Sequence, residues 1–182
     1  MTKTFMKICI IGSTALKTRM VDTLIGGPSS ETPGLGVNFS TKQLEYNDQV
    51  YKLILVDSGG DSFFFTTRYK WILKHGGVKP VFYTGAHACI ITFDKGVEAS
   101  FEVVSDWYKG ARKSIPDPRI PIVLVGFIGN TEEVTSLEGQ KVAEELGMLY
   151  YETSPTTQET ITPIFLEIVK TAVARGILNK VE

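Results

Sequence analysis

Cysteine and histidine are scarce in this 182-residue chain, at two each, and neither sign of charge dominates: 19 Lys and Arg stand against 20 Asp and Glu. A formal net charge of -1 excludes bulk electrostatic capture of nucleic acid or an acidic membrane. Cys9 and Cys89 both fall within strand-like apolar runs, without metal-ligand spacing to another Cys or His. They read as small core residues in a reducing compartment. No apolar run approaches the ~20 residues of a membrane span. Residues 1–7 enter a strand without a signal-peptide core, and the stretch from Gly176 to Glu182 has no Cys to prenylate. The expectation is a cytoplasmic protein with no direct membrane anchor. Repeats, linkers and low-complexity tracts are also lacking, so 1–182 reads as one domain.

What is present is an alternation of strand-like and helix-like segments. Met6–Ile11 is apolar apart from Lys7, as in a strand covered on both faces. A helix over Thr18–Ile25 stops at Gly26-Gly27-Pro28, and a loop rich in Gly, Pro, Ser and Thr follows to Gly36. Val37–Tyr46 and Gln49–Val56 are strands joined by Asn47-Asp48, a two-residue hairpin signal. A basic and aromatic segment, Ser62–Thr84, suggests a helix over Thr67–His75. Ala88–Phe93, Ile120–Val125 and Met148–Tyr151 are further strands, and Glu98–Ala111 has helical spacing. Thr135-Ser136-Leu137-Glu138 predicts a capping box for a helix ending at Leu146 before Gly147. In the last helix Pro163 predicts a first-turn position, with Thr160 or Thr162 as cap. This order implies an α/β fold: a mostly parallel six-stranded sheet with one antiparallel edge strand and helices on both faces.

In such sheets ligands bind beyond the carboxyl ends of the strands. The loops beginning at Gly12, Asp57, Gly126 and Glu152 all fall there. The first is the most telling, because Lys7–Ile11 runs into Gly12 and then Lys17-Thr18 at a helix start. That is the layout of a P-loop, whose backbone N–H groups cradle phosphate while Lys reaches the outer phosphates and a hydroxyl holds Mg²⁺. The pattern is one residue short, and Leu16 stands where its second Gly belongs. A nicotinamide-binding domain is disfavoured, since the loop lacks G-x-G-x-x-G and no acidic residue ends the second strand.

Over almost its whole length the chain resembles the Ras superfamily of small GTPases, Rab-like branch, and so a P-loop NTPase fold. The resemblance rests on Lys7–Gly12 with Lys17-Thr18, Thr32–Phe39, Leu55–Gly60, Gly85–Ile91, Pro121–Gly126 and Tyr151–Ser154. It implies GTP or GDP with Mg²⁺ as ligand, bound by Gly12, Ser13, Lys17, Thr18, Asp57, Gly60, Asn130 and Ser154. Thr18 and Asp57 would be the metal residues. It also implies protein partners at two switch-like stretches, 26–36 and 57–84.

The departures from that pattern carry their own expectations. Gly34 stands where the family places a Thr sensing Mg²⁺ and γ-phosphate, and Asp61 replaces the Gln that orients attacking water. Phe127-Ile128-Gly129-Asn130 replaces Asn-Lys-x-Asp, so Asn130 offers guanine one acceptor and one mismatched donor where a carboxylate would accept twice. Phe127 reads as a surface or core aromatic, with stacking on a base as the alternative. The second base loop keeps Ser154 but continues Pro155-Thr156 in place of Ala-Lys. Ser62–Thr84 is about eleven residues longer than its family counterpart, a length typical of binding loops or of disordered segments. An in-cis phosphate clamp from Arg68 or Lys70 is the sharper use of its charge, and a solvated or partner-facing surface the plainer one. His75 and His87 lack ligand or triad partners and read as structural. The expected function is an interaction or regulatory module with weak or altered guanine-nucleotide binding and no catalytic residue. The alternatives are an atypical working GTPase switch and a different ligand in the same site.

Overall fold

Alternation along the first strand sorts its side chains to two layers. β1 (Thr4–Gly12) sends Met6, Ile8 and Ile10 to one side of a sheet and Cys9 and Ile11 to the other, all fully buried. The coordinates are a computed structural model describing residues 4–12, 16–28, 30–32, 37–58 and 80–178. Expectations at Ser13, Gly34, Gly60, Asp61, Arg68, Lys70, His75 and the helix Thr67–His75 lie outside the described residues.

After β1 come α1 (Leu16–Ile25), β2 (Ser30–Thr32), β3 (Val37–Tyr46), β4 (Gln49–Asp57) and α2 (Pro80–Tyr83). Then follow β5 (Ala88–Asp94), α3 (Glu98–Glu102), α4 (Val104–Ser114), β6 (Ile122–Phe127), α5 (Ser136–Leu146), β7 (Leu149–Thr153) and α6 (Gln158–Ala174). The sheet order is β2-β3-β4-β1-β5-β6-β7. β1 is parallel to both β4 and β5, and β5, β6 and β7 continue parallel. β3 alone runs against the rest. The six expected strands and their single antiparallel member are therefore present. An addition falls in the stretch read as a loop: three-residue β2 pairs outside β3 and takes the edge.

The first layer joins Met6, Ile8, Leu53 and Leu55 to Met20 and Leu24 of α1 and Ile161, Phe165 and Ile168 of α6. The second joins Cys9, Ile11, Phe93 and Leu124 to Trp107 and Ala111 of α4 and Ala143 of α5. Both cysteines are free and fully buried, and burial pushes the Cys9 thiol up to about 12.

Two helix expectations need correction. Glu98–Ala111 is not continuous; the chain breaks at Val103 between α3 and α4. Ser100 closes the first piece onto the sheet through its Oγ and the Asp94 N–H (2.9 Å), while Val104, Trp107 and Ala111 bury the second. In α6, Thr157 rather than Thr160 or Thr162 is the N-cap, and Pro163 lies inside the helix. The carbonyl that Pro163 leaves without a helical donor belongs to Glu159, which is exposed to solvent, and Ile161 in this first turn is completely buried.

Candidate functional site

β1 turns from β4 on one side to β5 on the other, so the carboxyl end of β1 is the point where strand order reverses. Gly12 ends β1 there with φ +139°, so close to Thr92 of β5 that a Cβ would overlap the Thr92 carbonyl oxygen and hydroxyl. α1 opens just beyond and brings Lys17 and Thr18 over the end of β4. The Thr18 hydroxyl donates to Asp57 Oδ2, and Asn38 Nδ2 reaches the same oxygen at 3.5 Å. Register explains the meeting, since Asp57 pairs with Ile10 on one side and Asn38 on the other. Asp57 is 1% exposed and Lys17 also 1%. Burial pulls the Lys17 ammonium below its usual range, and the charge of Asp57 opposes that. Next along the chain, the Ser58 N–H donates to the Ile10 carbonyl (3.0 Å), while its buried hydroxyl has no partner among the described residues.

A hydroxyl beside a buried carboxylate suits a hard cation, which takes oxygen ligands. Thr18 and Asp57 would hold Mg²⁺, whose chemistry there is to neutralise phosphate charge. No cluster of three or more His, Cys, Asp or Glu able to hold a metal occurs among the described residues.

Further along the same edge lie the loops after β6 and β7. Phe127 is fully buried in the α1–α6 layer, so it is a core aromatic and presents no face to a ligand. Asn130 is exposed and has no side-chain hydrogen bond within the described structure. The Ser154 hydroxyl lies 3.0 Å from that of Thr156. The two loops are tied by the Ile128 N–H, which donates to the Thr153 carbonyl at 3.0 Å. Beneath them Lys95, only 4% exposed, places its ammonium 2.7 Å from Glu132, 2.9 Å from Glu152 and 2.9 Å from the Ser136 hydroxyl. Burial alone would lower its pKa, but hydrogen bonds to Glu132 and Glu152 reverse that and hold it raised.

His87 lies at the opposite end of the strands. Its Nδ1 accepts the Lys7 backbone N–H (3.0 Å) and its own backbone N–H donates to the Lys7 carbonyl (2.8 Å), a structural role as expected.

The sequence profile of the Ras family matches residues 7–174. The chain belongs to the Ras family. Among relatives of this Ras-family chain, human Rab-22A is 25% identical over 172 residues, covering 90% of the chain and 81% of the relative. Rab-4 of Dictyostelium discoideum is 27% identical over 168 residues (91% and 75%), and Rab7 of Vigna aconitifolia 28% over 184 residues (94% and 84%). The Ras-family chain is thus Rab-like, and members of this family bind GTP or GDP with Mg²⁺. Of the site residues expected in it, Thr18 and Asp57 are in contact with Lys17 alongside, Gly12 closes the strand behind them, and Asn130 and Ser154 occupy neighbouring loops. Ser13 and Gly60 are outside the described residues. Sequence reasoning missed Lys95. Its only signal was a Lys directly after an apolar strand, with acidic partners in two distant loops.

Proposed function

We propose that this Rab-like domain serves as an interaction and regulatory module with weak or altered guanine-nucleotide binding and no efficient GTP hydrolysis. The observation that supports this most is Asn130, exposed and without a carboxylate to offer at the position that reads guanine in the family. Losing a charge-assisted contact of about 1.5–3 kcal/mol weakens binding roughly ten- to hundredfold. Asp61, in place of the water-orienting Gln, speaks against hydrolysis, because a carboxylate near polyphosphate is repelled without a cation. Protein partners at 26–36 and 57–84 and a cytoplasmic setting complete the reading. Among the described residues no helix is long and apolar enough to cross a membrane.

Isothermal titration with GTP and GDP in excess Mg²⁺ tests it. Micromolar or weaker binding is expected, and sub-micromolar binding overturns it. One observation favours a second reading, an atypical working switch: Thr18 touches Asp57 beside Lys17, the residue set of a phosphate and metal end. Under that reading the purified chain carries guanine nucleotide, and Lys17→Ala abolishes phosphate release.

A further inference from the structure

Lys95 spends every polar group it has on joining separate segments. Its N–H donates to the Phe127 carbonyl (3.0 Å), and its carbonyl accepts the N–H groups of Glu133 (2.8 Å) and Val134 (2.9 Å). Its ammonium has three hydrogens and three partners, Glu132, Glu152 and Ser136. Those contacts reach the loop after β6, the first residue of α5 and the end of β7. Glu152 is held in turn by the Tyr150 hydroxyl (2.6 Å) and the Ser136 hydroxyl (3.0 Å). Tyr150 can approach because residue 139 is Gly; a Cβ there would overlap its ring and hydroxyl.

Apart from Lys95, the loop after β6 is held by the Ile128 N–H on the Thr153 carbonyl (3.0 Å) and by the Glu133 carboxylate, which accepts the Glu98 N–H (2.9 Å). Residues 128–133 are all exposed, and Val134 is its one buried apolar side chain. Burying an ion pair seldom stabilises a fold beyond what well-packed apolar groups would achieve, and its attested use is to fix one arrangement. Here the arrangement fixed is that of the loops bearing Asn130 and Ser154.

We propose that Lys95 is a positioning residue that braces these two loops against each other in the ligand-free protein, so that the base end of the site is set before anything binds. The brace deepens the reading above, since it rests on these loops facing the ligand. Lys95 touches no ligand itself; it acts through Glu132, Glu152 and Ser136. An entering ligand then has less loop ordering to offset.

Hydrogen exchange on the full chain without nucleotide tests the brace. The forms compared are wild type, Lys95→Met and the double variant Lys95→Met with Glu152→Gln, which leaves no buried carboxylate unpaired. In both variants amides of 128–135 and 152–156 should exchange about tenfold faster or more, the signature of local opening. In the double variant the β3–β4 hairpin, 37–57, should exchange as in wild type. Slow loop exchange in the double variant overturns the brace, and so does an acceleration shared equally by the hairpin. Titration of the same samples with GDP separates the two readings. Sub-micromolar binding by the wild type overturns the proposed function, while the exchange comparison still decides the role of Lys95.

Discussion

A methyl group at position 12 would have no room. With φ at +139° an L side chain is strained by about 1–2 kcal/mol, and its Cβ would enter the backbone and hydroxyl of Thr92, whose Oγ1 already donates to the Ile11 carbonyl at 3.2 Å. Overpacking against backbone adds typically ~1–3 kcal/mol. Gly26 supplies the comparison, because its φ is +81° but, among the described residues, nothing lies within 4 Å of a Cβ. Gly12→Ala should therefore lower the urea midpoint clearly more than Gly26→Ala does, with the slope unchanged in both. Equal losses would mean that backbone conformation alone explains the cost and that the contact with β5 is slack.

At the scale of elements, α5 is the helix whose start is written most locally. Thr135 Oγ1 accepts the Glu138 N–H (3.3 Å), and the Glu138 carboxylate accepts the Thr135 N–H (2.8 Å) and hydroxyl (2.7 Å). Hydrogen bonds from the Thr135 side chain and then its backbone hold the Glu138 carboxyl below its ordinary range. Thr135→Ala should cost about 0.5–2 kcal/mol, read as a drop of a few degrees in Tm. A variant melting with wild type would show that Ser136, anchored on Lys95, holds the helix start unaided. This element was legible because four consecutive residues encode it, and Gly147, with φ +68°, closes it as expected. The β3–β4 hairpin was legible for the same reason. Asn47 and Asp48 both adopt positive φ, 50° and 57°, the turn that matches strand twist. Local rules failed where packing between elements decided. Pro163 signalled a helix start, yet the burial of Ile161 carries α6 back to Gln158. The meeting of Thr18 with Asp57 was readable from motif order, because the topology of the fold brings those loop ends together. The Lys95 brace was not, since its partners are brought near only by the register of β5, β6 and β7.

For the whole molecule, acid should act on the two ends of the sheet in separate windows. At the amino ends of the strands, His87 is neutral and accepts the Lys7 N–H, while the Lys7 ammonium holds the Phe82 and Thr84 carbonyls at 2.8 Å each and so fastens α2. Burial first, and the Lys7 charge second, depress the folded His87 pKa below 6.5. The unfolded chain therefore takes up the proton more readily. The stabilisation is fully present above 6.5 and is lost as pH falls from there toward the folded value. At the carboxyl ends Glu152 behaves as a paired carboxylate. Burial works against its ionised form, but hydrogen bonds from Tyr150, Lys95 and Ser136 outweigh that and keep its pKa low. Its contribution persists through the histidine window and is lost only as pH falls through the folded carboxylate value. Urea midpoints should thus decline between about pH 7 and 5. His87→Asn, which keeps an acceptor near Nδ1 but cannot titrate, should flatten that decline without altering the steeper fall in stronger acid. An unchanged slope in His87→Asn would assign the first window to another group. A flattened one would show that acid loosens the sheet at the end of Lys7 and α2 first, while the ligand end keeps its brace.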